Sequence, residues 1–402
     1  MDIRQFQPQA PGRLVKISEG GHAFIPAPLP IGADLYTADL ILALDEATAE
    51  LGRLDGLAAN LPDPELLIGP FLRREAVLSS RIEGTQTTYS DLVLFEAAEI
   101  AANTGDTSEV RNYISALKYG VRRAEEIPFG RQLILEIHDT LMASAEAKVR
   151  RGQFRDRQVF IAQKGLTIRD ARYVPPPALE VEPLFDNLAA YLQAPNQLPL
   201  LIRLAITHYQ FEAIHPFIDG NGRLGRLLIV LMLCKERRLN APMLYLSAYF
   251  ERRRQQYNDL MLEVSRSGAW TDWIIFFLRG VALQARDAIQ RTRQLQALRQ
   301  QYRDRFRTAR TAASVLTLVD ALFELPVLTN RRAQSILGFS WQAASENIQK
   351  LVDAQIVQRV DVPGRVQYFL ATEIVEILDR AEAIPAEAPP EVSDAEEVTQ
   401  AT

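Results

Sequence analysis

Between residues 36 and 306, apolar residues recur at three- and four-residue spacing, and that period commits the chain to packed helices. The spacing predicts helices over 39–59, 64–84, 87–100, 110–126, 133–149, 179–193, 197–214, 222–238, 249–265 and 270–306. The expected fold class is therefore mainly α. One stretch breaks the period. QVFIAQKGLTIRDARYVP (158–175) holds two β-leaning runs around Lys164-Gly165, and it reads as a hairpin ended by VPPP. Residues 1–35 are rich in Pro and Gly and read as an extended arm.

Residues 311–378 have another character. An apolar helix precedes TNRRAQSILG, a break, the helix WQAASENIQKLVDAQ, and two apolar runs around Pro363-Gly364. Helix, helix, turn, helix and ribbon is the order of a winged helix. Residues 381–402 carry six acidic residues with no Lys or Arg, and they read as a disordered acidic tail. The expected division is an N-terminal arm and helical region (1–105), a helical core (106–300), the winged helix (311–378) and the tail (381–402).

Composition removes several function classes. The apolar runs are too short for a bilayer, which needs about 20 residues, so no membrane association is expected. The N-terminus lacks the apolar core of a secretory signal, and one cysteine, Cys234, rules out an internal disulfide framework. A cytoplasmic protein is expected, with Cys234 as a small core residue. The net charge is −5, and without the tail the rest of the chain carries about +1. No global basic field draws it to nucleic acid.

The densest chemistry lies in HPFIDGNGRLGR (His215 to Arg226), directly before the apolar run LLIVLMLC. Gly220, Gly222 and Gly225 match the dinucleotide pattern GxGxxG. That pattern must follow a strand, but the preceding LIRLAITHYQFEAI has helical spacing, and no acidic residue stands about 20 positions on to meet a ribose. A loop-to-helix junction remains. Gly220 and Gly222 let backbone N–H groups approach an anion at the positive end of a helix. Asn221 can donate an amide. Arg223 and Arg226, three apart, suit successive phosphates. Asp219 is a hard oxygen ligand of the kind Mg²⁺ shares with phosphates. His215, expected to be held extended by Pro216, could accept a proton from a hydroxyl. Each feature alone has an ordinary structural explanation, but seven such residues within twelve positions point to a polyphosphate cradle with one metal ligand and one base.

HPFIDGNGRLGR resembles the motif of Fic-domain proteins, H-x-F-x-(D/E)-G-N-G-R-x-x-R, at every fixed position. RRGQFRDRQVFI with ARYVPPP resembles the family's flap hairpin, and LYLSAYFERRRQQY resembles the segment after its motif helix. The resemblance implies a Fic helical core with a β-hairpin flap and a C-terminal winged helix. It implies transfer of AMP from ATP to Ser, Thr or Tyr hydroxyls of target proteins or of the chain itself. By that resemblance His215 is the base and Asp219 holds Mg²⁺. Gly220, Asn221, Gly222, Arg223, Leu224, Gly225 and Arg226 bind ATP, with Asn221 near the α-phosphate and Tyr257 beside the adenine. Val159, Phe160, Ile161, Ala162 and Gln163 of the flap hold the target by strand addition.

SSRIEG (Ser79 to Gly84) resembles the family's inhibitory motif in the N-terminally inhibited class. Ser79 and Glu83, four apart, share a helix face. The resemblance implies that Glu83 pairs with Arg226 and holds the enzyme off, or, in an alternative reading, supports removal of AMP from targets. It is also consistent with a homodimer. A different class of function, a DNA-binding regulator built on 311–378, is disfavoured. Its expected recognition helix (341–355) has one Lys and no Arg, with Glu346 and Asp353 against it.

Overall fold

A computed structural model describes residues 1–32, 35–61, 63, 65–98, 105–145, 149–162, 167–195, 198–306, 312–362 and 366–381. The helices are α1 (Ala38–Ala59), α2 (Glu65–Ile82), α3 (Tyr89–Ala98), α4 (Gly105–Glu126), α5 (Arg131–Leu141), α6 (Ala178–Gln193), α7 (Leu200–Ile214) and α8 (Asn221–Lys235). They continue as α9 (Ser247–Arg252), α10 (Arg254–Ser267) and the 35-residue α11 (Trp270–Asp304). Three boundaries differ most from expectation, the first being α4, which starts at Gly105 rather than at 110. The stretch 249–265 is split at Arg253, whose backbone leaves the helical region, and the helix expected over 133–149 stops at Leu141.

The core is organised around α7 and α8, which are apolar on nearly every face and therefore central. Leu227, Leu231 and Leu233 of α8 are fully buried among α2, α4, α5 and α7. α1 packs along α11, burying Leu40, Ala47 and Leu54 at a seven-residue spacing, and the Thr37 hydroxyl caps its first turn from Leu40 N–H. Cys234 is half-buried against this core, and burial pushes its thiol up to about 12.

The N-terminal segment corrects the sequence reading. It is not an extended arm: β1 (Gly12–Lys16) pairs antiparallel with β2 (His22–Pro26), and Ala23, Phe24 and Ile25 are buried. Gly20 and Gly21, with φ of 89° and 98°, make the reversal that residues with a side chain rarely adopt. Phe24 N–H also bonds Val174 O at 2.9 Å, which ties this hairpin to the end of the 158–175 stretch.

The C-terminal part contains α12 (Ala312–Glu324), β3 (Val327–Leu328), α13 (Asn330–Leu337), α14 (Trp341–Asp353), β4 (Gln358–Val360), β5 (Tyr368–Leu370) and α15 (Thr372–Asp379). Thr329 caps α13, Gly338 ends it at φ 67°, and Ser340 caps α14, so TNRRAQSILG carries its own start and stop. The sheet order is β3-β5-β4, antiparallel, with β3 a strand the sequence reading lacked. Residues 363–365 and the tail at 382–402 lie outside the described residues. This part is clamped to the helical block. Buried Arg291 of α11 donates to the carbonyls of Ile377, Leu378 and Arg380 at the end of α15. Arg73 of α2 donates to Glu324 O at 2.8 Å, so the helix that leads into Ser79 and Glu83 is held from behind.

Candidate active site

The turn between α7 and α8 is built from backbone bonds to buried side chains. His215 ends α7 through its N–H to Phe211 O, 3.0 Å, in the left-handed region at φ 50° and ψ 63°. This corrects the expectation of an extended residue before Pro216. The strain of a non-glycine residue there is held by Arg155. Arg155 Nε donates to His215 O at 2.8 Å, its Nη2 to Pro176 O at 2.5 Å, and its backbone N–H to Pro216 O at 2.9 Å. Arg155 is 3% exposed, and burial without a carboxylate partner lowers its pKa to about 10.

Asn221 closes the same turn. Its Oδ1 accepts Phe217 N–H at 2.9 Å and its Nδ2 donates to Phe217 O at 3.0 Å. Its amide was expected to face a phosphate, and instead it is spent on the loop backbone, 2% exposed. His138 of α5 supports the turn from below, stacked on Phe217 with ring centroids 3.7 Å apart. Its Nδ1 accepts Gly152 N–H at 3.0 Å, which leaves the proton on Nε2 to donate to Asp219 O at 3.1 Å. Burial lowers His138 to about 4, so this neutral tautomer is the form at pH 7. Gly220, at φ 82°, starts α8, and a Cβ there would strike Met142 Sδ at 2.7 Å.

The two arginines of α8 point to carboxylates of the N-terminal region. Arg226 Nε donates to Ser79 Oγ at 2.9 Å, and its Nη2 to Ser79 O at 2.9 Å and to Glu83 Oε1 at 2.7 Å. Ser79 is fully buried, whereas the Glu83 side chain is 41% exposed. Burial raises the Glu83 carboxyl, but the Arg226 guanidinium outweighs it and holds the pKa below the usual carboxylate range. Gly84, at φ 108°, lets the chain leave α2 just beyond this contact. At Gly222 a Cβ would stand 2.3 Å from Glu83 Oε1, so a side chain there would push the Glu83 carboxylate aside. Arg223 Nη1 bonds Glu109 Oε2 at 2.7 Å.

A cavity of about 400 Å³ opens beside this turn. Glu83, Gly222, Arg226, His215, Tyr257, Asn258 and the 160–162 segment line it. His215 is half-buried, and its Nδ1 has no hydrogen-bond partner among the described residues. Burial, aided by the Arg155 charge, lowers its pKa to about 4, so the imidazole is neutral and able to accept a proton at pH 7.

Residues 41–122 match the Fic/DOC family N-terminal region, and residues 128–233 match the Fic/DOC family itself. The chain carries a Fic domain preceded by the Fic/DOC family's N-terminal region. It is 36% identical over 75 residues to a probable protein adenylyltransferase of Aquifex aeolicus, covering 19% of this chain and 23% of that protein. It is 30% identical over 166 residues to the protein adenylyltransferase Fic of Nematostella vectensis, covering 39% and 36%. The chain thus spans well under half the length of these two relatives. In fold it resembles a crystal structure of a Fic family protein from Desulfovibrio desulfuricans G20, with a TM-score of 0.56 and 23% identity over 85% of this chain and 97% of that one.

The remaining residues of the Fic motif divide. Leu224 is fully buried in the core and does not line the cavity, because its position faces into the bundle. Gly225 leaves room for Glu212, whose Oε1 would lie 2.3 Å from a Cβ there. Tyr257 lines the cavity at 2% exposure. Its hydroxyl is 2.8 Å from His208 Nε2 and its ring stacks on Phe250. Val159, Phe160, Ile161 and Ala162 are described, while Gln163 and the Lys164-Gly165 turn lie outside the described residues. Among the described residues of 158–175, one antiparallel bridge joins Ile161 with Tyr173, and Ile168–Asp170 forms a short helical turn. Phe160 and Ile161 are about two-fifths exposed, and an ion pair from Arg172 to Asp259 of α10 ties this segment across the cavity mouth.

Asp219 fits a metal shared with substrate. Its Oδ1 accepts Gly220 N–H at 2.6 Å and lies 3.4 Å from Arg223, yet the side chain is 56% exposed. No group of three or more His, Cys, Asp or Glu suited to a metal ion occurs among the described residues. One exposed carboxylate beside an anion site suits Mg²⁺, which takes one or two carboxylates and completes its shell with phosphates and water.

Sequence reasoning missed Arg155, His138, Glu109 and Glu212. Glu212 had one signal, the single acidic residue of α7, placed three positions before His215. Its Oε1 is buried without a hydrogen-bond partner among the described residues, and burial raises its pKa to about 8. An acid raised above its unfolded value costs stability as pH rises through the folded value. Glu212→Gln should therefore leave the melting temperature unchanged at pH 5 and raise it by roughly 2–4 °C at pH 9. Thermal melts at both pH values read this, and an equal shift at each would refute the buried-acid account.

Proposed function

We propose that this Fic protein is an adenylyltransferase that moves AMP from ATP to a hydroxyl of a protein. The observation that carries the reading is the meeting, in one cavity, of a neutral His215 and Arg226 of α8, with Arg223 one turn earlier on that helix and Asp219 just before its start. The adenylyltransferase names of its relatives agree with it. The target oxygen attacks the α-phosphorus as its proton passes to His215. The bond from the α-phosphorus to the α–β bridging oxygen breaks, and diphosphate leaves. The two arginines and the N–H groups of Gly220 and Gly222 would hold the negative charge on the phosphates, where fixed donors contribute most. Asp219 would hold Mg²⁺, which supplies positive charge to the phosphates when bound. Tyr257 would flank the adenine, and the exposed strand at Phe160 and Ile161 would add the target's backbone to its edge.

Ser79 and Glu83 would inhibit by occupying Arg226, with Gly84 ending the helix that presents them. A second reading, removal of AMP by water, is favoured by the half-exposed Glu83 carboxylate lining the same cavity as His215. We read 311–378 as a winged helix that steadies α2 rather than a DNA reader. Gln342 and Gln349 on α14 pair with Glu346 and Asp353, leaving a face poor in phosphate-binding cations. A cytoplasmic enzyme fits the chain: among the described residues no helix is long and apolar enough to cross a membrane. A homodimer stays part of the proposal on family grounds. Incubation with ATP labelled at the α- or the γ-phosphate tests the reading: label should reach protein from the first only. Transfer of γ-label would replace it with phosphoryl transfer.

A further inference from the structure

We propose that Glu109 is a second inhibitory carboxylate, holding Arg223 as Glu83 holds Arg226. The inference rests on the proposed nucleotide site and adds to its regulation. Arg223 is 3% exposed, and its strongest bond is from Nη1 to Glu109 Oε2 at 2.7 Å. Its other partners are weaker. Asp219 Oδ1 lies at 3.4 Å and Met142 Sδ at 3.8 Å, and the buried Nε has no partner among the described residues. A guanidinium carries five donors in a fixed fork. With one short bond and one orphaned N–H, Arg223 is not fully satisfied by the protein, as expected of a group built to receive a larger acceptor.

Glu109 is suited to giving way. It sits at the start of α4, and its side chain is 42% exposed, so a released carboxylate passes straight into water. Arg223 cannot make the same excursion, because its stem is buried. A phosphate oxygen that takes the Nη1 donor of Arg223 displaces the Glu109 bond, just as one that takes Nη2 of Arg226 displaces Glu83.

The two glutamates come from different elements, the end of α2 and the first turns of α4. Freeing one arginine therefore leaves the other occupied, and full release requires both segments to yield. The competing possibility is that Glu109 only orients Arg223, in which case its loss would weaken nucleotide binding.

The test compares ATP and AMP binding by calorimetry on the full chain in a His215→Ala background, where no ATP is consumed by transfer. Relative to Glu83→Gly, the pair Glu83→Gly with Glu109→Gln should bind ATP roughly 3- to 5-fold more tightly, the range of a partly exposed ion pair. AMP affinity should not change, because AMP has no β- or γ-phosphate to meet Arg223. Glu109→Ser, which removes the carboxylate with a smaller side chain, should reproduce the result. Unchanged or weaker ATP binding, or equal tightening of ATP and AMP, overturns the proposal. The functional reading is scored separately by α-label transfer in Glu83→Gly with His215 intact. No transfer there defeats the enzyme reading while the ATP and AMP comparison still reports on Arg223, and no ATP binding in any variant defeats both.

Discussion

His215→Ala should reduce AMP transfer by roughly 100- to 10,000-fold, the range a positioned general base supplies. The expectation follows from how little else at the cavity can take the proton. Glu83 is engaged with Arg226, and Glu212 is protonated at neutral pH because burial lifts it to about 8. His138 is neutral, but both its nitrogens are committed to the turn. The loss should fall on kcat, with ATP affinity retained, since the groups assigned to the phosphates are Arg223, Arg226 and the helix start. A fall in ATP affinity of the same size would mean that the substitution has collapsed the left-handed turn. The pH profile gives an independent check. With burial holding the imidazole near 4, the acid limb of kcat/KM in the free enzyme should lie well below the 6.5 of an ordinary histidine.

Glu83→Gly should raise AMP transfer by roughly 10- to 100-fold, the equivalent of losing one charge-assisted hydrogen bond from the competing state. Arg226 keeps its bonds to Ser79 Oγ and Ser79 O in this variant, so the guanidinium stays in place while Nη2 gains room for a phosphate oxygen. Removal of the carboxylate also clears the space beside Gly222, where Glu83 Oε1 now lies. The ratio of variant to wild-type rates should be constant between pH 6 and 8. The depressed carboxyl pKa means that the contact is complete above the unfolded value and is lost only as pH falls through the lower folded one. A rate no higher than wild type would show that Glu83 does not limit access to Arg226. Accumulation of AMP on the target in this variant, with slow removal in wild type, would instead support the hydrolytic reading.

Legibility in the sequence followed the range of the interactions. Helices were readable because an amphipathic or wholly apolar period is local, and the start and stop of α13 were readable because Thr329 and Gly338 satisfy the helix ends themselves. The N-terminal hairpin is hidden in the sequence because its Pro and Gly content is equally that of an unpacked arm. Its Gly20-Gly21 reversal and the burial of Phe24 against the 158–175 stretch were both needed to see it. The charged and glycine-rich make-up of the 215–226 segment was legible, but two expectations within it failed for a shared reason. Asn221 turned inward to the Phe217 backbone and His215 adopted a left-handed conformation, both responses to a turn clamped by Arg155 from 60 residues away.

The sequence by itself determined a mainly helical chain, the family, and which residues at the start of α8 carry charge and which carry none, because these are properties of residue type and spacing. The resemblance anticipated Glu83 as the partner of Arg226, but only the tertiary structure decided that Arg223 faces Glu109. The pairings of Arg226 with Glu83 and of Arg223 with Glu109 join residues 143 and 114 positions apart. A guanidinium buried beside an apolar helix takes whichever acceptor the packing brings within 3 Å. That choice is set by how α2 and α4 dock on α8, which no local pattern encodes.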